Sequence, residues 1–323
     1  MKRENLYTQA RWDEVEEKNK RLMQLHLRFL KGERRRPRTI NQYFFDIRMF
    51  LIWNLLFNDN MSVLDFKKMH FDKFKYYMIE QRDASNARVN RLMSAIRTMM
   101  NYAADDDMLF EDYLRNPAER VKGLPQNPRK ETAFLTDEQI VLLREYLREH
   151  KMYKWMFLID IFYDSGARIS EVFQVENVST VPKGYIKVEC KGGKYEYLLI
   201  QDRAKESLEL YLPEVKDRGC FWLSDRGEPL KSESTIREWV GKMRKILQSL
   251  DSTTPYFTPH SFRHTFIENM SNGTHYLCGK LGRKLTTEEV QLIVHHKSID
   301  MTKSYMKPKD NEIILGLFGI NVA

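Results

Sequence analysis

The sequence predicts a mostly helical protein with a small antiparallel β-sheet, and three observations support this fold class. Apolar residues recur at helical spacing in the first third of the chain, for example along Val89–Ile96. The runs Tyr185–Cys190 and Tyr195–Ile200 favour two strands, and Gly192-Gly193 between them favours a tight hairpin turn. Helical spacing returns after this hairpin, so the predicted sheet is small.

Two pairs of residues with capping-box spacing mark where helices should begin. Thr39 followed by Gln42 predicts one helix start, and Thr136 followed by Gln139 predicts another. Further helices are predicted at Trp155–Tyr163, ending near Gly166, and at Thr235–Leu247, Ser261–Asn269 and Thr287–Val294.

The chain is long enough, at 323 residues, for two domains that each have a core. Gly123, Pro125 and Pro128 stand among basic residues between the two helical regions. This composition predicts a basic, semi-stiff linker. The predicted division is a helical domain at residues 1–120, a linker at 121–133 and a second domain with a C-terminal tail at 134–323.

The charge of the chain points to a polyanionic partner without establishing one. A net charge of +8 favours binding to nucleic acid, but many basic proteins never touch it. In the basic stretch Lys31–Arg38, only Glu33 opposes the cations, so this stretch is either a solvated charge run or a phosphate-contacting loop. Arg88 and Arg91 lie off the apolar stripe of their helix and face either solvent or DNA.

Composition also argues against membrane insertion and export. No apolar run approaches the ~20 residues that a membrane-spanning helix needs. The start of the chain, Met1–Asn5, leads into polar sequence without an apolar signal core. Cys190, Cys220 and Cys278 are few, odd in number and widely spaced, which suits reduced thiols. We therefore expect a cytoplasmic protein with no membrane partner.

The residues that could take part in a reaction lie in four separated segments: Ser165–Glu171, Lys191, His260–Arg263 and His295–Tyr305. Each segment alone has an ordinary structural explanation, because surface arginines, turn lysines and core tyrosines are common. Together they give the order Arg, Lys, His-x-x-Arg and His, with a tyrosine nine residues after that histidine. This joint order is far more specific than any one segment.

A zinc site is the competing interpretation of the histidines. His260 and His264 stand four residues apart, as metal ligands on a helix can, and His275 and Cys278 follow them. The glutamate of the HExxH motif is absent from this interval. The sequence therefore favours no metal ligands and no cofactor.

The four segments resemble the signature motifs of the tyrosine recombinase (phage integrase) family, of the Xer and Cre type. Residues 134–306 match the catalytic domain motif by motif, and residues 12–120 match the helical core-binding domain more loosely. The resemblance implies a SAM-like helical core-binding domain that binds DNA, followed by an α+β catalytic domain.

The resemblance also assigns roles to individual residues. Charge builds on the oxygens of a DNA phosphodiester under attack, and arginine forks stabilise such oxygens well. A hairpin lysine can protonate the departing 5′-oxygen, and a histidine can help a phenol lose its proton. The implied set is Arg168 and Arg263 as phosphate ligands, Lys191 as general acid, His260 as proton acceptor, His296 as phosphate ligand, Tyr305 as nucleophile and Glu171 as their acidic support.

The implied activity is site-specific recombination through a covalent 3′-phosphotyrosine and a Holliday junction, without metal or ATP. The implied partners are double-stranded DNA with paired core sites and three further copies of the chain, assembled as a homotetramer on DNA. The free protein would be a monomer or dimer. Two alternatives remain open on the sequence alone: DNA relaxation of the type IB topoisomerase kind, and a catalytically silent DNA-binding regulator.

Four features depart from the family pattern or lie outside its motifs. His295 stands where the family usually has glycine, so it could alter the turn or add a second imidazole. The stretch 273–285 lengthens the segment between Arg263 and His296, and we expect a surface loop there rather than an added DNA contact. The apolar tail at 311–323 is expected to dock into a neighbouring subunit. The short segment before residue 12 predicts simple core sites without an added arm-binding domain.

Overall fold

The computed structural model of the chain describes residues 5–105, 110, 112–125, 133–175, 184–190, 194–216, 220–296, 298–303, 305 and 306. Most of these residues are helical, and two strands form a small antiparallel sheet, so the predicted fold class is confirmed. Among the described helices, none is both long and apolar enough to span a membrane. The chain separates into two compact units, Met1–Arg129 and Lys130–Ala323.

The first unit is helical. Its α-helices are α1 (Gln9–Glu14), α2 (Glu17–Gly32), α3 (Pro37–Phe57), α4 (Lys68–Tyr76) and α5 (Asn86–Ala104). Short turns of 3₁₀ helix occupy Val63–Asp65 and Pro117–Arg120, and a π-helical turn occupies Tyr77–Gln81.

The apolar stripe that predicted α5 is buried in the core of the first unit, as expected. Helix α3 departs from its prediction, because it begins at Pro37 instead of after Thr39. Proline suits the first helical turn, where its missing N–H costs no hydrogen bond, and Gln42 bonds Asp46 instead of closing a capping box.

Two features of this unit bear on the basic residues. The connector between α2 and α3 is exposed throughout Glu33–Arg36. Arg88 and Arg91 on α5 both form ion pairs with the fully buried Asp46 of α3. These two arginines therefore stabilise the packing of α3 against α5, whatever else they contact.

The start of the predicted linker is bound to the first unit. Asn90 donates to the carbonyl of Leu124 and accepts from its N–H, at 2.9 and 2.8 Å. Arg97 donates to the carbonyl of Val121, and Lys75 donates to that of Lys122. Residues 121–125 are therefore held on the helical unit, and residues 126–132 lie outside the described part of the chain.

The second unit contains nine described α-helices and the hairpin. In chain order, these helices and the two strands of the hairpin are α6 (Asp137–Glu149), α7 (Tyr153–Ser165), α8 (Ile169–Val172), β1 (Tyr185–Glu189), β2 (Tyr195–Leu199), α9 (Asp202–Val215), α10 (Glu233–Leu250), α11 (Pro259–Asn272), α12 (Tyr276–Leu281), α13 (Thr287–Ile293) and α14 (Ile299–Lys303).

Helix α7 is the central helix of this unit, because its residues from Met156 to Ser165 are all buried. It packs against α6, α9 and α11. The predicted capping box of Thr136 and Gln139 begins α6, and α7 ends at Gly166 as predicted. Gly166 has a φ of 60°, in the left-handed region that favours glycine at a helix end.

The two predicted strands pair in antiparallel register, with Lys187 opposite Tyr197. Their alternating burial places Ile186 and Val188 in the core of the second unit. The Gly-Gly turn between the strands lies outside the described residues.

The expectation of a surface loop at residues 273–285 is wrong. This stretch contains α12, and Leu277, Cys278 and Leu285 are buried in a small core with Phe266. The ring of His275 is also buried and stacks on Tyr163, with ring centroids 4.2 Å apart. The sequence did not predict this packing because glycines interrupt the apolar residues of the stretch, which therefore show no helical periodicity.

Candidate active site

The first arginine of the site lies in the tight connection between α7 and α8. Arg168 caps α8, and Glu171 at the third helical position accepts from its backbone N–H at 2.7 Å. The Nη1 of Arg168 also donates to Oε1 of Glu171 at 2.7 Å. The buried carboxylate thus fixes both the backbone and the guanidinium of Arg168, whose side chain is 23% exposed.

The second arginine, Arg263, lies on α11 and is fully buried. Its Nη1 donates to the carbonyl of Gly166 at 2.8 Å, and its Nη2 donates to the carbonyl of Val294. Glu171 approaches the same Nη1 to 4.0 Å, so one carboxylate lies near both arginines. Burial and the charge of Arg168 lower the pKa of Arg263 to about 10, which leaves it charged at neutral pH.

Tyr305 follows α14 in the chain, and its ring lies among three imidazoles and a guanidinium. His264 stacks on it with centroids 4.3 Å apart, and His296 and His260 lie at 4.7 and 5.2 Å. The Cζ of Arg263 lies 5.7 Å from the same ring centroid. Residues separated by more than forty positions in the sequence, as His260 and Tyr305 are, therefore meet at one phenol.

His296 is the inward-facing histidine of the pair at 295 and 296. It is buried, and its Nδ1 lies 2.9 Å from Oγ1 of Thr302 on α14. Its Nε2 is buried and has no hydrogen-bond partner within the described part of the chain. Burial, followed by the charges of Arg263 and Arg168, lowers its pKa to about 3, so the imidazole is neutral at pH 7.

His260 is neutral at pH 7 as well. Although the residue is exposed, its ring lies against His264 and Tyr305. Desolvation of the ring, followed by the electrostatic effects of His264 and Arg263, lowers the pKa of His260 to about 4. A neutral imidazole beside the phenol is able to accept a proton.

His264 is a site residue that the sequence argument did not include among the catalytic set. Its Nδ1 lies 3.1 Å from the carbonyl oxygen of Tyr305, in addition to the ring stacking. The signal was present, because a residue four positions after His260 shares its face of a helix. The four-residue spacing of His260 and His264 was interpreted in the sequence only as that of two metal ligands.

The remaining predicted residue, Lys191, lies outside the described residues. Its predecessor Cys190 is described: the Sγ lies 3.6 Å from Oε1 of Glu171 and 3.5 Å from Nδ1 of His295. His295 has a φ of 53°, which explains why glycine suits this position. Its imidazole therefore points to the end of β1.

The four residues considered as zinc ligands do not form one site: His260 and His264 are adjacent at Tyr305, whereas His275 and Cys278 contact other residues. Both ring nitrogens of His275 are hydrogen-bonded, Nε2 to the carbonyl of Tyr163 and Nδ1 to the N–H of Leu277. Cys278 contacts Met270 instead. None of the three cysteines, all in the described part of the chain, forms a disulfide.

Comparison with known proteins identifies the class to which this fold and site belong. The model of the phage integrase family matches residues 133–312, more than half of the chain. The chain therefore belongs to the phage integrase family.

Similar curated proteins are tyrosine recombinases. The tyrosine recombinase XerC of Chlamydia caviae is 28% identical over 253 residues, which cover 75% of this chain and 75% of that protein. The XerC of Thermodesulfovibrio yellowstonii is 25% identical over 87% of this chain and 88% of its own length. The predicted identity as a tyrosine site-specific recombinase is thereby confirmed, and topoisomerase activity is not favoured.

Solved structures show the same fold. A lambda integrase dimer bound to a COC′ core site superimposes with a TM-score of 0.65 at 16% identity, covering 88% of this chain and 75% of that chain. A lambda integrase tetramer bound to a Holliday junction gives a TM-score of 0.63 at 15% identity, covering 90% of this chain and 82% of the other.

Proposed function

We propose that this protein cleaves and rejoins DNA at specific sites with Tyr305 as the nucleophile. The phenolic oxygen attacks the scissile phosphorus, the bond to the 5′-oxygen breaks, and a 3′-phosphotyrosine and a free 5′-hydroxyl result. A 5′-hydroxyl of another strand then reverses the step, so the energy of the linkage is conserved. The observation that carries the proposal is the convergence of three imidazoles and Arg263 on the ring of Tyr305.

Phosphate binding is proposed for Arg168, Arg263 and His296. The guanidinium of Arg168 is oriented by Glu171 and partly exposed, which suits a fork on two nonbridging oxygens. The Nε of Arg263 and the Nε2 of His296 are buried polar atoms without a partner among the described residues. Such atoms are costly to leave unpaired, and phosphate oxygens would satisfy both.

Proton transfer is proposed for His260 and Lys191. His260 is neutral at pH 7 and lies beside Tyr305, so it can accept the phenolic proton. Lys191 is proposed to protonate the departing 5′-oxygen. In support, Cys190, the preceding residue, lies next to Glu171 and therefore close to Arg168.

DNA binding by the helical unit, roughly residues 1–120, is proposed from its charge. The exposed basic stretch Lys31–Arg38 gives this unit a surface suited to phosphates. A cytoplasmic enzyme acting on the chromosome or a mobile element fits this proposal.

A homotetramer on two paired core sites is proposed as the active assembly. The tail at 311–323, outside the described residues, is proposed to bind a neighbouring subunit. A receiving surface is available in an apolar cavity of about 410 Å³ next to α13, where Leu292 is 75% exposed. The apolar lining of this cavity includes Leu199, Phe266, Met270, Leu277 and Ile293.

Deletion of residues 311–323 should prevent tetramer assembly on DNA while leaving binding to one core site unchanged. Assembly of tetramers by the shortened chain would contradict this.

The test begins by finding the DNA site. Protein trapped covalently in cells is purified under denaturing conditions, and the attached DNA is sequenced. A nicked duplex carrying that site should then trap a protein–DNA adduct that survives denaturant, and Tyr305→Phe should abolish the adduct.

A substrate with two copies of the site separates the proposed activity from its alternatives. Recombinant products and Holliday junctions support the proposal. Relaxation of supercoils without recombinants would identify a topoisomerase, and site binding without any adduct would identify a silent regulator.

A further inference from the structure

Three potential metal ligands lie together beside the proposed catalytic arginines. The ligand atoms of Glu171, Cys190 and His295 all lie within 4.8 Å of one another. The Sγ of Cys190 is 3.5 Å from Nδ1 of His295 and 3.6 Å from Oε1 of Glu171. They come from α8, the end of β1 and the turn after α13, so packing of the second unit creates the cluster.

The two distances from the Sγ of Cys190 are those of a tetrahedral zinc site. Zinc binds sulfur at about 2.3 Å and imidazole nitrogen or carboxylate oxygen at about 2.0 Å, so tetrahedral angles place sulfur about 3.5 Å from each neighbour. Both distances from Cys190 agree with this value within about 0.1 Å. The Sγ of Cys190 therefore already lies at zinc-site distances from both neighbouring ligand atoms.

The donor chemistry selects a thiophilic divalent cation. Sulfur, imidazole and carboxylate together favour zinc over magnesium or calcium, which prefer oxygen alone. Glu171 is already oriented by two hydrogen bonds from Arg168, as outer-shell partners orient metal ligands. Three protein ligands leave the fourth position for water.

We propose that Glu171, Cys190 and His295 bind Zn²⁺ and that the bound ion reversibly inhibits strand cleavage. The Sγ–H of Cys190 gives its proton to solvent as the sulfur–zinc bond forms. The ion shares the carboxylate that orients Arg168, and it fixes the residues that directly precede Lys191 and His296. Zinc binding is independent of the proposed recombination, whereas the inhibition rests on it.

Cobalt binding tests the site without any catalytic readout. Untagged, metal-free protein is titrated with Co²⁺, and the thiolate-to-cobalt charge-transfer band is recorded. The Cys220→Ser/Cys278→Ser variant, which keeps only Cys190, should retain the band with the affinity of the parent. Cys190→Ser should lose it, and His295→Gly should weaken cobalt and zinc affinity by about 10- to 100-fold or more.

His295→Gly is a suitable variant because glycine accepts the positive φ of this position. A missing band in the Cys190-only protein, or unchanged affinity in His295→Gly, would overturn the site. To test inhibition, adduct formation on the nicked duplex is measured at increasing Zn²⁺ concentration. Zn²⁺ should lower adduct formation by the parent protein, and the same inhibition of His295→Gly should require at least about 10-fold more Zn²⁺. Equal inhibition of both proteins would overturn the regulatory claim, and absence of any adduct without metal would count against the recombinase proposal alone.

Discussion

The two arginines of the site differ in environment more than in chemistry. Arg168 is partly exposed and is anchored to one carboxylate, whereas Arg263 is fully buried and binds two backbone carbonyls. Arg263 therefore also connects the end of α7 to the turn after α13. Its replacement should affect folding as well as chemistry.

We expect Arg168→Ala to reduce single-turnover cleavage by about 10²- to 10³-fold, since one preorganised donor is lost. Its free energy of unfolding should fall only slightly. Arg263→Ala should lose cleavage and also about 2–5 kcal/mol of stability, because the carbonyls of Gly166 and Val294 are left unpaired. Urea unfolding beside cleavage assays measures both, and equal stability of the two variants would refute the distinction.

His264 is expected to position the nucleophile. His264→Ala removes both the stacking on the ring of Tyr305 and the contact with its carbonyl, and should slow cleavage by about 10- to 100-fold. His264→Phe keeps the stacking and should recover part of the rate. Affinity for the core site should be unchanged in both, and a phenylalanine variant no faster than alanine would argue against a stacking role.

At this scale, three residues singled out in the sequence, His260, Arg263 and His296, lie around the ring of Tyr305. Arg168 lies instead at Glu171, which also approaches Arg263. The sequence pattern did not include His264, although the position four residues after His260 shares its face of α11, because that spacing was interpreted only as a pair of metal ligands. Nor did it predict the left-handed backbone of His295 or its contact with Cys190. Those depend on how a turn packs against a strand far away in the chain.

Among the elements, the connection from α7 to α8 determines the geometry of the site. A Cβ at Gly166 would lie 2.5 Å from a ring carbon of Phe266, and the φ of 60° is unfavourable for any side chain. The carbonyl of Gly166 also accepts from Arg263. Movement of this turn would therefore displace an arginine.

Gly166→Ala should lower the free energy of unfolding by about 2–4 kcal/mol through overpacking and backbone strain. Cleavage should fall with it. Gly241→Ala, in the middle of α10, would place the new methyl group in ordinary van der Waals contact with the end of Arg244, at 3.9 Å. It should be neutral or stabilising by about 0.5–1 kcal/mol. Thermal unfolding compares the two, and an unaffected Gly166→Ala would disprove the close packing.

Elements with strong local signals were predictable. The strands alternate in burial, and the box of Thr136 and Gln139 begins α6. The start of α3 was missed because Thr39 and Gln42 imitate a capping box inside a helix that Pro37 already begins. Helix α12 was missed because its stability comes from tertiary burial rather than from its own periodicity.

Taken as a whole, the molecule has two units with separate cores, and each core contains a buried imidazole outside the active site. His26 in the first unit is fully buried between Tyr43 and Tyr102 and has no hydrogen-bond partner among the described residues. Burial lowers its pKa to about 4, and burial likewise lowers that of His275 to about 4. Both are held neutral by folding.

Acid should therefore destabilise each unit. The unfolded chain binds a proton at His26 below pH 6.5, whereas the folded unit binds it only near pH 4, so stability falls as the pH drops between these values. The loss reaches about 3 kcal/mol. His26→Phe should reduce this acid sensitivity, as measured by hydrogen exchange of α2 amides at pH 7 and pH 4.5. Identical pH dependence in His26→Phe and the parent would contradict the burial argument.

The central claim is that one phenolic oxygen, that of Tyr305, forms the covalent bond to DNA. The adduct trapped on the nicked duplex is digested with protease and nuclease, and the nucleotide-linked peptide is sequenced by mass spectrometry. We predict a phosphate linkage on Tyr305. Linkage to any other residue, or an adduct that persists in Tyr305→Phe, would contradict the account.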